Sequence, residues 1–158
     1  MIKLRPMTED EFDAYLAVRL PDYAQEHAKA GNWSPDEAMQ RAEEQLRQLL
    51  PDGLATKNHD FFVVEAKETG DDVGMLWLAV REQGETTKAF VFDVQIYEPF
   101  RRQGYGSATF RAMEEKVEAL GLDTIALHVF GSNYPAREMY KKLGYVETDV
   151  IMAKRLAN

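Results

Sequence analysis

The segment that decides the fold is residues 90–107, with the sequence FVFDVQIYEPFRRQGYGS. Its first part, as far as Tyr97, is rich in aromatic and β-branched residues and predicts a buried strand. A short turn at residues 98–100 leads into a loop with two arginines and two glycines, and this loop opens a helix. The first N–H groups of a helix are unpaired and lie at the positive end of its dipole, which favours an anion. We therefore predict that the loop holds the pyrophosphate of a nucleotide-bearing cofactor.

Length and composition predict one soluble globular domain over residues 1–158, because 45% of the residues are hydrophobic and 29% are charged. A net charge of −8 makes nucleic acid and anionic membranes poor partners. The chain has no cysteine, which excludes disulfides and thiol catalysis and fits a reducing compartment. No apolar run reaches the roughly 18 residues of a membrane span and no signal peptide is visible, so we expect a cytoplasmic protein. His27, His59 and His128 lack metal-ligand spacing, so we expect no metal.

The N-terminal third predicts a strand followed by helices. Residues 2–5 alternate as a strand should, and the capping box Thr8-Glu9-Asp10-Glu11 opens a helix. Pro21 removes a backbone donor, so we expect a break or kink there before the helix resumes. A second capping box at residues 34–37 predicts another helix, which runs to about Leu50.

The rest of the chain alternates between strands and helices. Three strands with short connections predict an antiparallel meander, and the helix after the loop predicts a crossover to a parallel strand. The predicted elements are strands at 60–67, 73–81 and 90–97, a helix at 107–120, a strand at 124–130, a helix at 134–143 capped by Asn133, and a strand at 145–154. The expected fold class is α+β: a mixed, mostly antiparallel sheet of about six to seven strands, flanked by helices.

Two common phosphate-binding loops do not match residues 101–109. The P-loop pattern G-x-x-x-x-G-K-[ST] is absent, and Thr109 stands where a dinucleotide-binding loop needs a third Gly or Ala. A simpler interpretation also exists, in which Gly104 and Gly106 only permit a turn with positive φ.

Two motifs together are more specific than the loop alone. Arg101-Arg102-Gln103-Gly104-Tyr105-Gly106 has the pattern [QR]-x-x-G-x-[GA]. Residues 133–145, NYPAREMYKKLGY, have the pattern N-x-x-A-x-x-x-Y-x-x-x-G-[FY]. With a helix and a strand between these motifs, the sequence resembles the GNAT superfamily of N-acetyltransferases over residues 90–145.

The resemblance implies a GNAT-like fold in which two central parallel strands splay apart and the first of them carries a bulge. Acetyl-CoA would lie in the gap, with its pantetheine arm along the backbone of Val94, Gln95 and Ile96. The pyrophosphate would sit on the loop and the helix start, where the implied cofactor-binding residues are Arg101, Arg102, Gln103, Gly104, Tyr105, Gly106 and Ser107. Asn133 would contact the cofactor from the far side, and Tyr140 would contact it as the general acid.

Acetyl transfer to an amine explains why these residue types are needed. A neutral amine attacks the thioester, a backbone N–H near Ile96 could stabilise the oxyanion, and the thiolate then leaves. A thiol has a pKa of about 8.5 and tyrosine one of about 10, so Tyr140 could protonate the thiolate. His128 is the first candidate for the general base; Asp93, Glu98 and water remain alternatives, and both Tyr140 and His128 could instead be ordinary buried residues.

The acceptor is not identified by the sequence. The resemblance places Tyr15, Arg19 and Tyr23 near the acceptor wall, whereas Trp33 and Trp77 are interpreted as packing anchors. We expect an amine-bearing small molecule or peptide as partner, and a homodimer is one expected assembly because family members are often dimers. The alternatives are a catalytically silent acyl-CoA-binding or regulatory module of the same fold, and an enzyme that transfers a longer acyl group or uses another acceptor.

Overall fold

The computed structural model describes residues 1–157. The chain divides into two compact units, one ending at His128 and the other starting at Val129. In chain order the helices and strands are β1 (Ile2–Pro6), α1 (Glu9–Lys29), α2 (Ala38–Leu49), β2 (His59–Ala66), β3 (Asp72–Gln83), β4 (Thr86–Ile96), α3 (Tyr105–Ala119), β5 (Ile125–Leu127) and α4 (Tyr134–Lys142).

The first unit is built on a single sheet with the strand order β1-β2-β3-β4-β5. The first four strands pair antiparallel, and β5 pairs parallel to β4. This confirms the mixed, mostly antiparallel sheet, the antiparallel meander and the parallel crossover through α3. The connection through a helix explains the parallel pair, because a tight turn can join only antiparallel strands.

The sheet has five strands within the described residues rather than six to seven. The strand predicted at 145–154 is not formed, and residues 145–157 have no regular secondary structure. The strand predicted at 124–130 is only Ile125–Leu127, and β5 lies at the edge of the described sheet rather than at its centre. Apolar alternation in one segment favours a strand, but a strand also needs a hydrogen-bonding neighbour, which that segment does not specify.

A bulge in β4 breaks the regular pairing with β3. Trp77 lies opposite Asp93 but Leu78 lies opposite Val91, so Phe92 is the extra residue. The parallel pairing of β4 with β5 ends at the same point, since Val91 with Leu127 is its last pair. The strand continues to Ile96 without β5, which confirms the predicted bulge and splay.

Capping decides the start of α1 as predicted. The Thr8 side chain accepts from the Glu11 amide at 3.2 Å, and the Glu11 carboxylate accepts from the Thr8 amide at 2.9 Å. Of the break or kink predicted at Pro21, the break is wrong, because α1 is one helix of 21 residues. Packing on both sides explains this: Leu16 joins the core above the sheet, and Ala24 is buried against α2.

The second predicted capping box is also wrong. The Glu37 amide donates to the Ser34 main-chain oxygen at 3.1 Å, so residues 35–37 form a turn and α2 begins at Ala38. The turn gives the Glu37 N–H a hydrogen-bond partner, which an N–H group in the first turn of a helix would lack.

The core fills both faces of the sheet. On one face Trp77 stacks on Phe61 and Phe92, with ring centroids 4.7 and 4.6 Å apart, in a cluster that includes residues of α1 and α2. On the other face β1, β2 and β3 pack against Ala108 of α3. Trp77 is therefore a packing residue, as expected, and α1 and α2 lie over the bulged part of β4.

Candidate active site

The loop after β4 leaves the N-terminus of α3 open. Gly104 precedes the helix with φ +88°, a conformation that glycine adopts without strain, and Arg102 has φ +64°. The first intrahelical hydrogen bond runs from the Ala108 amide to the Gly104 oxygen at 3.1 Å. The amides of Tyr105, Gly106 and Ser107 therefore have no carbonyl partner in their own helix. The helix starts at Tyr105, two residues earlier than predicted, which places Gly106 within its first turn.

The three polar residues of the loop are solvent-exposed. The Arg101 Nε donates to the Ile96 main-chain oxygen at 2.8 Å and so ties the loop to the end of β4. The Gln103 side-chain amide reaches the Pro99 oxygen at 3.4 Å, a long contact. Arg102 is solvent-exposed, so its charge faces solvent beside the helix start. Positive side chains and open amides together suit a phosphate group.

The backbone of β4 is exposed along the edge that β5 leaves. The Tyr97 amide donates to the Val73 oxygen at 2.8 Å, so this residue faces β3. Because the main-chain groups of a strand alternate in direction, those of Gln95 also face β3. The N–H groups of Val94 and Ile96 then face the opposite edge. Gly74 supports this orientation, because an added Cβ there would overlap the Gln95 main-chain oxygen.

A buried carboxylate lies on the α1 side of this part of β4. Oδ2 of Asp93 accepts from the Tyr15 hydroxyl at 2.7 Å and from the Gln95 side chain at 3.0 Å. The same oxygen lies 3.2 Å from Nε of Arg19. Side-chain exposure is only 12% for Asp93 and 17% for Arg19, so this pair is largely shielded from solvent. The contacts attach α1 to β4 one residue beyond the bulge.

Burial and charge set the protonation of this cluster. Burial, followed by the charge of Asp93, raises the pKa of Tyr15 well above its usual value, so its hydroxyl stays protonated as a donor. Burial alone would lower the pKa of Arg19, but Asp93 and Glu26 outweigh it and raise the value. Arg19 also reaches Glu26 at 3.3 Å. One arginine thus faces two carboxylates, and the three residues together carry one negative charge.

His128 is placed directly after β5. Its neighbour Leu127 is the last residue paired with β4, so the imidazole lies where the two strands separate. The residue is exposed, which differs from the alternative of a buried histidine. Burial lowers the pKa of His27 on α1, and the charges of His128 and Arg19 lower it further. Glu98, the other candidate base, is exposed in the turn after β4.

The second unit contains Asn133 and Tyr140. Asn133 caps α4 as predicted, because its Oδ1 accepts from the Ala136 amide at 3.3 Å. Tyr140 is half-buried, and its ring centroid lies 5.8 Å from that of Tyr145. No residue of α4 is fully buried, and Met139 is 38% exposed. Tyr140 therefore lies on a helix whose side chains all keep some exposure to solvent.

The structure groups the predicted residues into two sets. Residues 94–96 and 101–107 meet at the end of β4 in the first unit, where Arg101 contacts Ile96. Asn133 and Tyr140 are both carried by α4 in the second unit. Sequence reasoning missed Glu26 and Phe92. Helical spacing of Arg19, Tyr23 and Glu26 could have indicated the first, but no local signal marked the bulge at Phe92.

Two further features of the described chain bear on function. Residues 1–157 contain no cluster of three or more Asp, Glu or His side chains that could hold a metal ion. Among the helices described there, none combines the length and apolar character needed to cross a bilayer.

Comparison with known proteins gives the family. Residues 16–145 match the model of the acetyltransferase (GNAT) family. The chain belongs to this family. It is 37% identical to the uncharacterized N-acetyltransferase YycN of Bacillus subtilis over 155 residues, which cover 98% of this chain and 99% of YycN. It is 31% identical to the uncharacterized N-acetyltransferase YdgE of the same organism over 153 residues, 97% of each chain.

Solved structures agree with this assignment. The crystal structure of YycN matches with a TM-score of 0.91 at 35% identity, covering 100% of both chains. The aminoglycoside N-acetyltransferase AAC(6')-Iy, solved in complex with CoA, matches with a TM-score of 0.63, covering 98% of this chain and 94% of that one. At 16% identity the second match shows the fold alone. The GNAT fold predicted from the two motifs is confirmed.

Proposed function

We propose that this protein transfers an acetyl group from acetyl-CoA to a primary amine by direct attack of the amine. The observation that carries the proposal is the open N-terminus of α3 beside the free edge of β4, in a chain of the GNAT family. A helix N-terminus suits a pyrophosphate, and a free strand edge suits the amides of a pantetheine arm. The helix N-terminus and the free strand edge both adjoin the end of β4, where Arg101 contacts Ile96.

The residues present fit acetyl-CoA. The amides of Tyr105, Gly106 and Ser107 and the side chain of Arg102 would hold the pyrophosphate. Arg101 would contribute its remaining guanidinium nitrogens to the same group, and it would also position the loop, because its Nε donates to the Ile96 oxygen. The N–H groups of Val94 and Ile96 would pair with the pantetheine arm, and Gln95 supports them through its bond to Asp93.

Acetyl-CoA supplies a thioester carbonyl that a neutral amine can attack. The Ile96 N–H, at the open edge of β4, would stabilise the negative charge that forms on the carbonyl oxygen. Tyr140 would donate its phenolic proton to the leaving thiolate, since the two groups differ in ordinary pKa by only about 1.5 units. Asn133 would hold the start of α4, which carries Tyr140, through its capping bond to Ala136.

We propose His128 as the base that accepts the proton of the amine. Its support is its exposed position where β4 and β5 separate. Asp93 is less suited, because three side chains engage its Oδ2 and hold α1 against β4.

His128→Ala should change the shape of the pH–rate profile and lower kcat/KM at pH 7 by roughly 10- to 100-fold. The measurement is kcat/KM for the amine between pH 5.5 and 9.5. His59→Gln is the matched control, because His59 contacts Trp77 and Phe92 instead and should leave the shape of the profile unchanged. A profile that His128→Ala leaves unaltered would transfer the role to Asp93, Glu98 or water.

The function as a whole is tested by thiol release from acetyl-CoA in the presence of a panel of amines. We expect release that depends on both amine and enzyme, with the acetylated amine confirmed by mass spectrometry. Tight binding of CoA without release for any amine would instead favour a silent acyl-CoA-binding module. Faster release from propionyl- or butyryl-CoA would favour transfer of a longer acyl group.

A further inference from the structure

Beyond its bulge, β4 has a neighbouring strand on one side only. Its pairing with β5 ends at Val91, whereas its pairing with β3 continues to Ile96. A bulge disrupts the ladder locally, and a segment paired along one edge has fewer hydrogen bonds to hold it than a central strand has. Residues 93–96 nevertheless include both N–H groups assigned above to acetyl-CoA, those of Val94 and Ile96. This segment therefore needs support from outside the sheet.

Asp93 provides that support through two side chains of α1. The Tyr15 hydroxyl donates to Oδ2 of Asp93 at 2.7 Å, and Nε of Arg19 lies 3.2 Å from the same oxygen. Tyr15 and Arg19 are four residues apart, which places them on one face of the helix. Asp93 and Arg19 are largely shielded from solvent, and hydrogen bonds to a shielded charge are stronger than exposed ones. The three side chains thus fix the position of β4 relative to α1.

The same segment is held at its far end and along β3. Nε of Arg101 donates to the Ile96 oxygen at 2.8 Å. The Gln95 side chain donates to Oδ2 of Asp93 at 3.0 Å, which joins two residues of the segment to one another. Gly74 of β3 lets the Gln95 main chain approach closely, because a Cβ there would overlap the Gln95 oxygen. The open N–H groups thus lie between two anchored ends, Asp93 and Ile96.

We propose that Tyr15 and Arg19 are positioning residues for acetyl transfer, which act through Asp93 to aim the Ile96 N–H at the thioester carbonyl oxygen. This inference rests on the proposed function. A donor that stabilises an oxyanion has to be in place before the charge develops, and a small displacement weakens its effect in the transition state. Loss of one contact from α1 should therefore lower kcat and leave the binding of CoA largely unchanged.

Contact with the acceptor is the competing role for these two residues. Arg19 lines a cavity of about 500 Å³ between α1, α2 and the sheet, part of which is open to solvent. Tyr15 is not among the described residues of the cavity wall, and its hydroxyl proton is already donated to Asp93. Tyr15→Phe therefore tests positioning without altering the cavity. A residue that contacts the amine changes KM for the amine, whereas a positioning residue changes kcat.

The test compares Tyr15→Phe with Glu11→Gln. Tyr15→Phe removes only the hydroxyl and should lower kcat about 10-fold, with KM for the amine and the affinity for CoA within about twofold. Glu11→Gln is the matched control, because Glu11 attaches α1 to Arg5 of β1 rather than to β4, and glutamine can still close the capping box. It should lower the thermal stability but leave kcat within about twofold. Thermal unfolding checks that each variant is folded at the assay temperature.

Hydrogen exchange in the free protein gives a measurement that does not depend on activity. Tyr15→Phe should speed the exchange of the amides at residues 93–97 by at least about fivefold, because β4 opens more readily from β3 without its contact to α1. Arg19→Met should do the same, and Arg19→Lys, which keeps the charge beside Asp93, should restore most of the protection. Exchange in α3 should be unchanged, and Glu11→Gln should leave residues 93–97 unaffected.

The outcomes separate this inference from the proposed function. Exchange at residues 93–97 that Tyr15→Phe leaves unchanged would overturn this inference alone, as would a rise in KM for the amine with kcat unaltered. A Glu11→Gln protein that loses as much kcat as Tyr15→Phe does would show a general effect of stability and would overturn it too. Absence of acetylation by the unaltered protein, for every amine, would overturn the proposed function and with it the catalytic consequence of the contacts.

Discussion

Tyr140→Phe should lower kcat for acetyl transfer by about 10²-fold or more while leaving the affinity for CoA within about twofold. The substitution removes only the hydroxyl, so the ring contact with Tyr145 and the helical position remain. A thiolate that leaves without a proton donor must be released as an anion, and this raises the barrier of the last step. Steady-state kinetics with a saturating amine measures the effect, and direct titration with CoA measures the affinity.

The control for this substitution comes from the same helix. Tyr134 begins α4 and is 67% exposed, so Tyr134→Phe should leave kcat unchanged. An activity of Tyr140→Phe equal to that of the control would reject Tyr140 as the acid. A fall in CoA affinity as large as the fall in kcat would show instead that Tyr140 acts in binding.

Gly106→Glu should weaken the binding of CoA by at least about 100-fold. Gly106 provides one of the open amides in the first turn of α3, and a carboxylate there would occupy the place proposed for the pyrophosphate. The fold has room for the side chain, since the nearest atom to an added Cβ is Ile96 Cγ1 at 3.9 Å. A negative charge in the first turn also interacts favourably with the positive end of the helix dipole, so the thermal stability should be unchanged or slightly higher.

This combination of lost affinity and kept stability separates an anion site from a merely structural glycine. Ala119→Glu adds the same charge at the other, exposed end of α3 and should change CoA affinity by less than about threefold. Isothermal titration with CoA and with dephospho-CoA, together with thermal unfolding, gives both readings. If Gly106→Glu binds CoA as tightly as Ala119→Glu does, the pyrophosphate does not lie on this helix.

Features determined by neighbouring residues were predictable from the sequence. The capping box at Thr8, the cap at Asn133 and the helix after Gly104 each depend on groups only a few residues apart. The parallel pairing of β4 and β5 follows from the length of the connection between them. The two motifs at 101–106 and 133–145 indicated the family, which the family match confirmed.

The errors concern segments whose state depends on distant partners. Pro21 disfavours a helix locally, yet packing of α1 on both sides of it keeps the helix continuous. Residues 145–154 alternate as a strand does, but in the described chain they find no partner strand. A proline inside a helix costs about 3 kcal/mol of folding free energy. The burial of several apolar side chains contributes more than this, because each one contributes about 1.5–3 kcal/mol.

By itself, then, the sequence determined the loop that opens α3, the order of the elements as far as α4, and the family, because these follow from short-range hydrogen bonds and spacing. Only the tertiary structure decided that Phe92 is the bulged residue, that Asp93 joins α1 to β4, and that a cavity opens beside them. The register of β3 against β4 and the packing of α1 over both depend on several distant segments at once. Such relations have no counterpart in the pattern of any single segment.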